Sequence, residues 1–321
     1  MSWLVNAFRP TGPYPILLLH GEQGTAKSTT TRILRSLLDP NESPLRTVPR
    51  NERDLMISAR NAWVQAFDNL SQLPLWFADA LCRLATGGGF GTRKLFTDDD
   101  EALFNTQLPS VLTSIGELAT RGDLLDRAIV LHLPHIPRLK RQSEQQFWHT
   151  FEALRPSLLG ALLDVVSAAL QNLHHVKLDE LPRMADFARW SCAAAEACAW
   201  HVETSQGGQS HTAAFLHSYA ENISAARHVI LDTAIAQAIE RLVKPQPWRG
   251  THSGLLDVLR TMVGPGHIRE LPPTARALSA ELDRLIPSLR SIGVRIERER
   301  RREAGTGQRL ITLRKEDAGQ Q

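Results

Sequence analysis

The sequence predicts an α/β fold: a parallel sheet with helices on both faces, then a helical region and a C-terminal winged helix. Three observations lead to this prediction. Short apolar runs alternate with helical stretches over residues 1–136, and residues 137–245 have apolar positions at three- and four-residue spacing. Residues 246–316 combine helical segments with a basic hairpin, and residues 317–321 form a tail.

The first predicted strand and the loop after it carry the most specific motif. Ile16–His20 is a short apolar run, typical of a strand buried on both faces. A helix is predicted from about Lys27 to Leu38, where Asp39-Pro40 ends it. The segment between them, Gly21–Ser28, is called here the glycine loop. It matches G-x-x-x-x-G-K-[ST] except that Ala26 replaces the last glycine.

The glycine loop predicts ATP binding with Mg²⁺. Glycines let the backbone turn its N–H groups onto phosphate, and the helix that follows points its positive end at the anion. Lys27 would reach the β- and γ-phosphates, and the Ser28 hydroxyl would ligate Mg²⁺. We expect Ala26 to be tolerated because the backbone is already helical there. The predicted nucleotide contacts are Gly21, Glu22, Gln23, Gly24, Thr25, Ala26, Lys27, Ser28 and Thr29. A chance glycine-rich turn is the alternative, but it would not require the strand before it and the helix after it.

Three further strands are predicted at Asn61–Phe67, Ser110–Ile115 and Ala128–Leu133. Asp68 follows the first of these, where an acidic residue can hold the water shell of Mg²⁺. A helix-capping role is the alternative for Asp68. The next residue is Asn69, where many ATPases of this type have a glutamate that activates water, so hydrolysis is left open.

The ordered motifs resemble those of superfamily 3 helicases, in particular the poxvirus-type primase–helicases and their phage and prophage relatives. GEQGTAKST is similar to motif A, VQAFDN to motif B and PSVLTSI to motif C. Residues 84–96 are similar to the B′ region, and the likeness covers about residues 14–133. The resemblance implies an AAA+-like core and a homo-oligomer, with a hexameric ring as the expected form. Relatives carry a primase or a helical collar before the core, so a separate chain could supply either.

The resemblance also assigns roles to individual residues. Thr113 stands where motif C usually has the asparagine that senses the γ-phosphate. Arg127 occupies the place of the arginine that reaches a neighbour's nucleotide; Arg121 is a second choice, and a surface salt bridge is the alternative role. Arg93 and Lys94 fall in the basic loop that faces DNA, with a solvated turn as the alternative. The catalytic set is therefore Lys27, Asp68, Thr113 and Arg127.

The C-terminal segment predicts a winged helix that binds DNA. Helices are expected at Gly254–Met262, Thr274–Leu285 and Pro287–Ile292, and strands at Val294–Glu299 and Arg309–Leu313. Residues 271–315 carry eleven Lys and Arg against five Asp and Glu, a net charge of +6 in a chain of +3. The expected DNA-binding residues here are Arg298, Arg300, Arg301 and Arg302. A hairpin that packs on a protein partner is the alternative.

The amino-acid composition narrows the class of protein and its cellular location further. The chain is 42% apolar and 22% charged, which is typical of a globular protein, and its three cysteines form no disulfide framework. The N-terminus lacks the pattern of a signal peptide, and no stretch reaches the roughly 18 apolar residues needed to span a bilayer. We expect a location in the bacterial cytoplasm, associated with the nucleoid, and no membrane partner.

The predicted function is a DNA-dependent ATPase or helicase-like motor in the replication of a phage or mobile genetic element. Its partner would be single- or double-stranded DNA. The alternative is a nucleotide-controlled DNA-binding regulator with weak or lost hydrolysis. A small-molecule kinase has little support because a kinase does not need a basic winged helix.

Overall fold

The structure is a computed structural model that describes residues 1–93, 101–115, 122–198, 210–302 and 309–316. Within these ranges, the side chains of residues 90–93, 101–105, 197, 198, 265, 269, 270, 300–302 and 309 are not described. The described strands are β1 (Ile16–His20), β2 (Gln65–Leu70), β3 (Gly89–Arg93), β4 (Glu101–Asn105), β5 (Ser110–Ser114), β6 (Ala128–His132), β7 (Trp248–Thr251), β8 (Val294–Arg302) and β9 (Arg309–Lys315). The described helices are α1 (Ser2–Asn6), α2 (Lys27–Leu38), α3 (Glu52–Arg60), α4 (Leu75–Thr86), α5 (Gly122–Leu125), α6 (Glu144–Asn172), α7 (Ala185–Cys198), α8 (His211–Leu231), α9 (Ala234–Val243), α10 (His252–Met262) and α11 (Ala275–Ser291).

The chain divides into two compact units, and neither is contiguous in sequence. Unit 1 consists of Met1–Ala119 and Asp126–Ile223. Unit 2 consists of Thr120–Leu125 and Ser224–Gln321. The second boundary falls within α8, and the short helix α5 is grouped with the C-terminal residues.

Unit 1 is built on a parallel four-stranded sheet, which confirms the predicted α/β core. The strand order is β2-β5-β1-β6, and Leu17 of β1 is in register with Val111 on one side and Ile129 on the other. Strand β1 is buried from Ile16 to Leu19, as expected for a central strand covered on both faces. Helices α1, α2, α6 and α7 contribute to the core that contains Leu17 and Leu19.

Strand β2 differs from the prediction at both ends. The predicted strand began at Asn61, but Asn61 is the C-cap of α3, and β2 begins at Gln65. The side-chain amide of Gln65 donates from Nε2 to the carbonyl oxygen of Ala62 at 2.7 Å, which stabilises the turn between the helix and the strand. The strand continues past Phe67 to Leu70 with a break in its register against β5. Asn69 lies in this break with φ of 56°, the left-handed region.

Unit 2 contains α9, β7, α10, α11 and the β8–β9 hairpin, in this chain order. The strands form an antiparallel sheet in the order β7-β9-β8. Each of the helices α10 and α11 begins at a threonine N-cap: the Thr251 hydroxyl accepts from the N–H of Gly254 at 3.1 Å, and that of Thr274 from Ala277 at 3.2 Å.

The predicted helices at Thr274–Leu285 and Pro287–Ile292 are in fact one helix. Helix α11 continues through Pro287 to Ser291, so the predicted interruption was wrong. Leu285 and Leu289, on either side of the proline, are both buried. This burial outweighs the loss of one backbone hydrogen bond at Pro287. Strand β7 was not predicted at all.

One described helix, α6, is long and apolar enough to cross a membrane by length and composition alone. Its most apolar window has a mean hydropathy of 1.5. Its apolar residues are separated by polar and charged ones, among them Asp164. A single helix of this kind is weak evidence for a membrane span, because core helices of other proteins pass the same test.

Candidate functional site

The glycine loop lies at the carboxyl end of β1 and leads directly into α2. Gly24 has φ of 82°, a conformation that favours glycine. A Cβ added to Gly21 would lie 2.8 Å from the carbonyl oxygen of Leu133, so no side chain fits there. Both glycines of the motif are therefore required by the backbone.

Ala26 adopts a conformation that the sequence analysis did not expect. Its φ is 60° and its ψ is 27°, so the residue is left-handed and α2 begins only at Lys27. The expectation that the backbone at Ala26 is already helical was wrong. A left-handed backbone brings Cβ close to the following carbonyl oxygen and costs an alanine about 1–2 kcal/mol, which explains why the motif has glycine at this position.

The Lys27 side chain is held within the glycine loop. Its Nζ donates to the carbonyl oxygens of Gly21 at 2.6 Å and Glu22 at 2.7 Å. The Thr25 hydroxyl also donates to the carbonyl of Glu22, at 3.0 Å. These bonds keep the ammonium group in the curve of the loop, where an anion would exchange for the carbonyl contacts.

Three predicted site residues meet at one carboxylate. The Ser28 hydroxyl donates to the Asp68 carboxylate, with both oxygens at 2.9 Å, and the Thr113 hydroxyl donates to Asp68 Oδ1. The Thr113 oxygen also accepts from the N–H of Asn69 at 2.8 Å. Asp68 therefore lies within β2 beside α2 and is not a helix cap. Carboxylate and hydroxyl oxygens are ligands that Mg²⁺ prefers, so Ser28 and Asp68 fit this ion.

Thr113 and Asn69 differ in exposure. Thr113 is 1% exposed, and its hydroxyl is engaged with Asp68 and Asn69. Asn69 is exposed, and asparagine tolerates its left-handed backbone better than most residues. The arrangement fixes Asp68 and the direction of the chain after it.

A cavity of about 650 Å³ adjoins the glycine loop. Thr30 and Ile33 of α2 and Phe147 of α6 line it, together with Arg141. The Arg141 Nη2 atom lies 3.9 Å from the position of a Cβ on Gly24, so its guanidinium group is near the loop. The sequence analysis missed Arg141, although the basic run Arg138–Arg141 directly after the last strand of the sheet was a usable signal.

Arg127 is far from the glycine loop of its own chain. Its carbonyl accepts from the N–H of Ile16 at 2.8 Å, at the start of β1, whereas the loop follows the end of β1. At roughly 3.3 Å per residue, the strand separates the two by about 16 Å. The site thus brings together Lys27, Ser28, Asp68 and Thr113 but not Arg127.

Several predicted residues lie outside the described part of the chain. Lys94 and Arg121 are not described, and neither are the side chains of Arg93, Arg300, Arg301 and Arg302. The backbone of Arg93 ends β3, which pairs with β4 in an antiparallel hairpin.

Described arginines of unit 2 form ion pairs. Arg298 pairs with Asp283 at 2.6 Å, Arg314 with Glu297 at 2.6 Å and Arg295 with Glu316 at 2.5 Å. All three pairs are largely exposed, so each contributes little to stability. Asp283 and Glu297 are among the five acidic residues already counted in the net charge of +6.

The fold and the site define an α/β protein whose glycine loop lies at the carboxyl end of the central strand, the edge where such sheets bind ligands. A family model described as "Actinomycete integrative conjugative element replication protein" matches residues 1–208. A second, described as "AICE RepA C-terminal domain", matches residues 235–321. The chain therefore belongs to this family of replication proteins. Membership confirms the coarser prediction, a replication protein of a mobile genetic element.

The chain is also similar to solved structures. One, titled "SCCmec type IV Cch - active helicase", is 14% identical at a TM-score of 0.43, with 94% of this chain and 61% of that chain covered. Another, titled "The A form apo structure of NrS-1 C terminal region-CTR", is 10% identical at a TM-score of 0.40, with 98% of this chain and 70% of that chain covered. TM-scores this low support no conclusion about function. A comparison with curated proteins finds no match.

Proposed function

We propose that this chain is an ATP-driven DNA motor of the helicase type that acts in the replication of an integrative conjugative element. The observation that carries the proposal is the contact of Ser28 with Asp68 directly beside Lys27 in the glycine loop. Family membership supplies the process, which is replication. The proposed location is the cytoplasm, at the DNA.

ATP would bind with its phosphates in the glycine loop. Lys27 would exchange its bonds to the Gly21 and Glu22 carbonyls for bonds to phosphate oxygens. Ser28 would hold Mg²⁺ directly and Asp68 would hold it through water, and the bound ion would neutralise phosphate charge. Thr113 would keep Asp68 oriented through its hydrogen bond.

The adjoining cavity is the proposed place for the base and ribose. Ile33 and Phe147 offer apolar surface to a purine, and Thr30 offers a hydroxyl. Arg141 would lie near the phosphates from the same chain. In this placement the phosphates lie in the glycine loop, and the ribose and base extend along α2.

The proposed assembly is a ring, with hydrolysis at the boundary between neighbouring chains. Arg127 is about 16 Å from its own glycine loop by strand length, so it would serve the nucleotide of a neighbour. The resemblance to superfamily 3 helicases makes a hexamer with an AAA+-like core the expected form.

Unit 2 is the proposed DNA-binding part. The proposal that unit 2 is a winged helix is supported by its chain order, α9-β7-α10-α11-β8-β9, and by its sheet order, β7-β9-β8. The β8–β9 hairpin would be the wing, and Arg298, Arg300, Arg301 and Arg302 would contact the DNA backbone. Arg93 and Lys94, in the stretch similar to the B′ region, would contact DNA in the ring channel.

A second function is favoured by one specific observation. The residue after Asp68 is Asn69, which has no carboxylate, and the Thr113 hydroxyl is engaged with the protein. A site of this kind could hold ATP without cleaving it quickly. The protein would then be a nucleotide-controlled DNA-binding regulator.

The test is the rate of ATP hydrolysis with Mg²⁺, measured with and without single-stranded and duplex DNA. We expect DNA to accelerate turnover and Lys27→Ala to abolish ATP binding in a folded protein. Lys177→Ala is the matched control, because Lys177 is exposed and lies outside the glycine loop and its cavity. ATP binding without turnover would favour the regulator. Unchanged ATP affinity in Lys27→Ala would overturn both functions.

A further inference from the structure

Unit 2 contains a cavity of about 640 Å³ lined by polar, basic and apolar side chains. It is called here the unit 2 cavity. Its polar lining comes from the start of α10, the start of α11 and strand β8: His252, Ser253, Arg276, Ser279, Arg298 and Glu299. Leu310 and Ile311 of β9 supply an apolar wall.

Two arginines give the unit 2 cavity its charge. Arg298 is fixed by Asp283 and by the Ser279 hydroxyl, which accepts from its Nη2 at 3.4 Å. Arg276 is exposed, and within the described part of the chain no carboxylate lies within 4 Å of it. Glu299 is paired with Arg249 at 2.6 Å, which also lowers the pKa of this carboxyl. The pairing leaves Arg276 as a cation able to bind a ligand.

His252 adds a polar atom that is unsatisfied within the described residues. Its Nε2 is buried and has no hydrogen-bond partner among them. Burial lowers the pKa of His252 and the nearby Arg298 lowers it further, whereas Asp283 raises it. The N-termini of α10 and α11 add partial positive charge, since both helices begin in this wall.

We infer that the unit 2 cavity binds a phosphate group of the DNA backbone. Arg276 and the His252 ring would donate to its oxygens, and the fixed Arg298 would stabilise its charge. A tetrahedral oxyanion accepts from several directions at once, as this set of donors requires. The chain continues from Arg298 along β8 into Arg300, Arg301 and Arg302, which fits an extended polyanion better than a single small anion. The inference rests on the proposed DNA-binding role of unit 2.

The experiment measures binding of a labelled duplex oligonucleotide to the full chain by fluorescence anisotropy at several salt concentrations. Arg276→Ala should weaken binding by about 5- to 10-fold at low salt and reduce the log–log salt slope by about 1. Arg290→Ala removes a charge from the exposed far end of the same helix and should stay within about twofold of wild type. Ser253→Glu places a carboxylate in the unit 2 cavity at a helix position that accepts one, and should weaken binding more than Arg276→Ala. Ser253→Gln is the control, because glutamine has the size of glutamate without its charge.

Inorganic phosphate provides an arm that does not depend on DNA. Millimolar phosphate should shift the NMR signals of the His252 ring in wild type and not in Ser253→Glu. If wild type binds DNA but Arg276→Ala and Ser253→Glu bind like their controls, the inference is overturned and a DNA-binding unit 2 stands. If wild type binds no DNA, the proposed function fails, and the His252 signals then decide whether the unit 2 cavity is an anion site. A shift on addition of phosphate supports a site for free phosphate or nucleotide. The absence of a shift overturns the site.

Discussion

Replacing Ala26 by glycine should stabilise the protein, although glycine substitutions in and beside helices usually destabilise. Ala26 has φ of 60° and ψ of 27°, a left-handed backbone that costs an alanine about 1–2 kcal/mol. Glycine does not pay this cost, but its greater freedom in the unfolded chain costs about 0.5–1 kcal/mol. The difference spans about 0–1.5 kcal/mol, and its midpoint of about 0.75 kcal/mol corresponds to about 2 °C in Tm for a unit of this size.

The assay is urea and thermal unfolding of Ala26→Gly without nucleotide. Ala220→Gly is the matched control, because Ala220 is exposed within the right-handed helix α8 of the same unit. The control should lose about 1 kcal/mol, so the two variants should move in opposite directions. A loss of stability in Ala26→Gly equal to that of the control would refute the left-handed assignment. ATP affinity of Ala26→Gly should be equal to or better than that of wild type.

Three further predictions concern catalysis. Asn69→Glu should raise the ATP hydrolysis rate because it restores a carboxylate. It should also lower the stability by about 1 kcal/mol, because the backbone at this position is left-handed. Asn69→Gln should lower the stability equally but leave the hydrolysis rate unchanged. Thr113→Val should destabilise by about 1–3 kcal/mol and slow hydrolysis, since Asp68 and the Asn69 N–H lose their partner, whereas Thr113→Ser should retain both. Arg127→Ala should bind ATP normally but hydrolyse it slowly, and mixing it with Lys27→Ala should restore activity. Normal hydrolysis by Arg127→Ala alone, with no recovery on mixing, would exclude a site shared between chains.

The parallel core could be predicted closely from the sequence because its elements are strongly marked. Strand β1 consists of four apolar residues followed by His20, between Pro15 and Gly21, and the structure places both ends of β1 and α2 where the pattern does. The meeting of Ser28 and Asp68 also follows from topology, since loops at the carboxyl ends of adjacent parallel strands lie at one edge.

The remaining features depend on contacts that no local pattern encodes. The motif identifies Ala26 as a substitution but not its backbone angle, which is set by the turn into α2. Strand β7 is four residues long and pairs with β9, roughly sixty positions later, so its partner decides its conformation. Arg141 lies in a basic run that the sequence does show, but its position beside the glycine loop depends on the approach of its side chain to Gly24.

The grouping of α5 with the C-terminal residues has a consequence for how the protein can be divided. Leu124 and Leu125 of α5 are 0% and 3% exposed, and a Cβ on Gly122 would lie 3.1 Å from the Arg284 carbonyl of α11. A polypeptide that stopped at Ile223 would keep α5 between β5 and β6 but lose the helix that covers it. Cutting the chain between the two units would therefore leave α5 without the helix that covers it. Recombination between related elements could exchange the C-terminal coding segment only together with a matching α5.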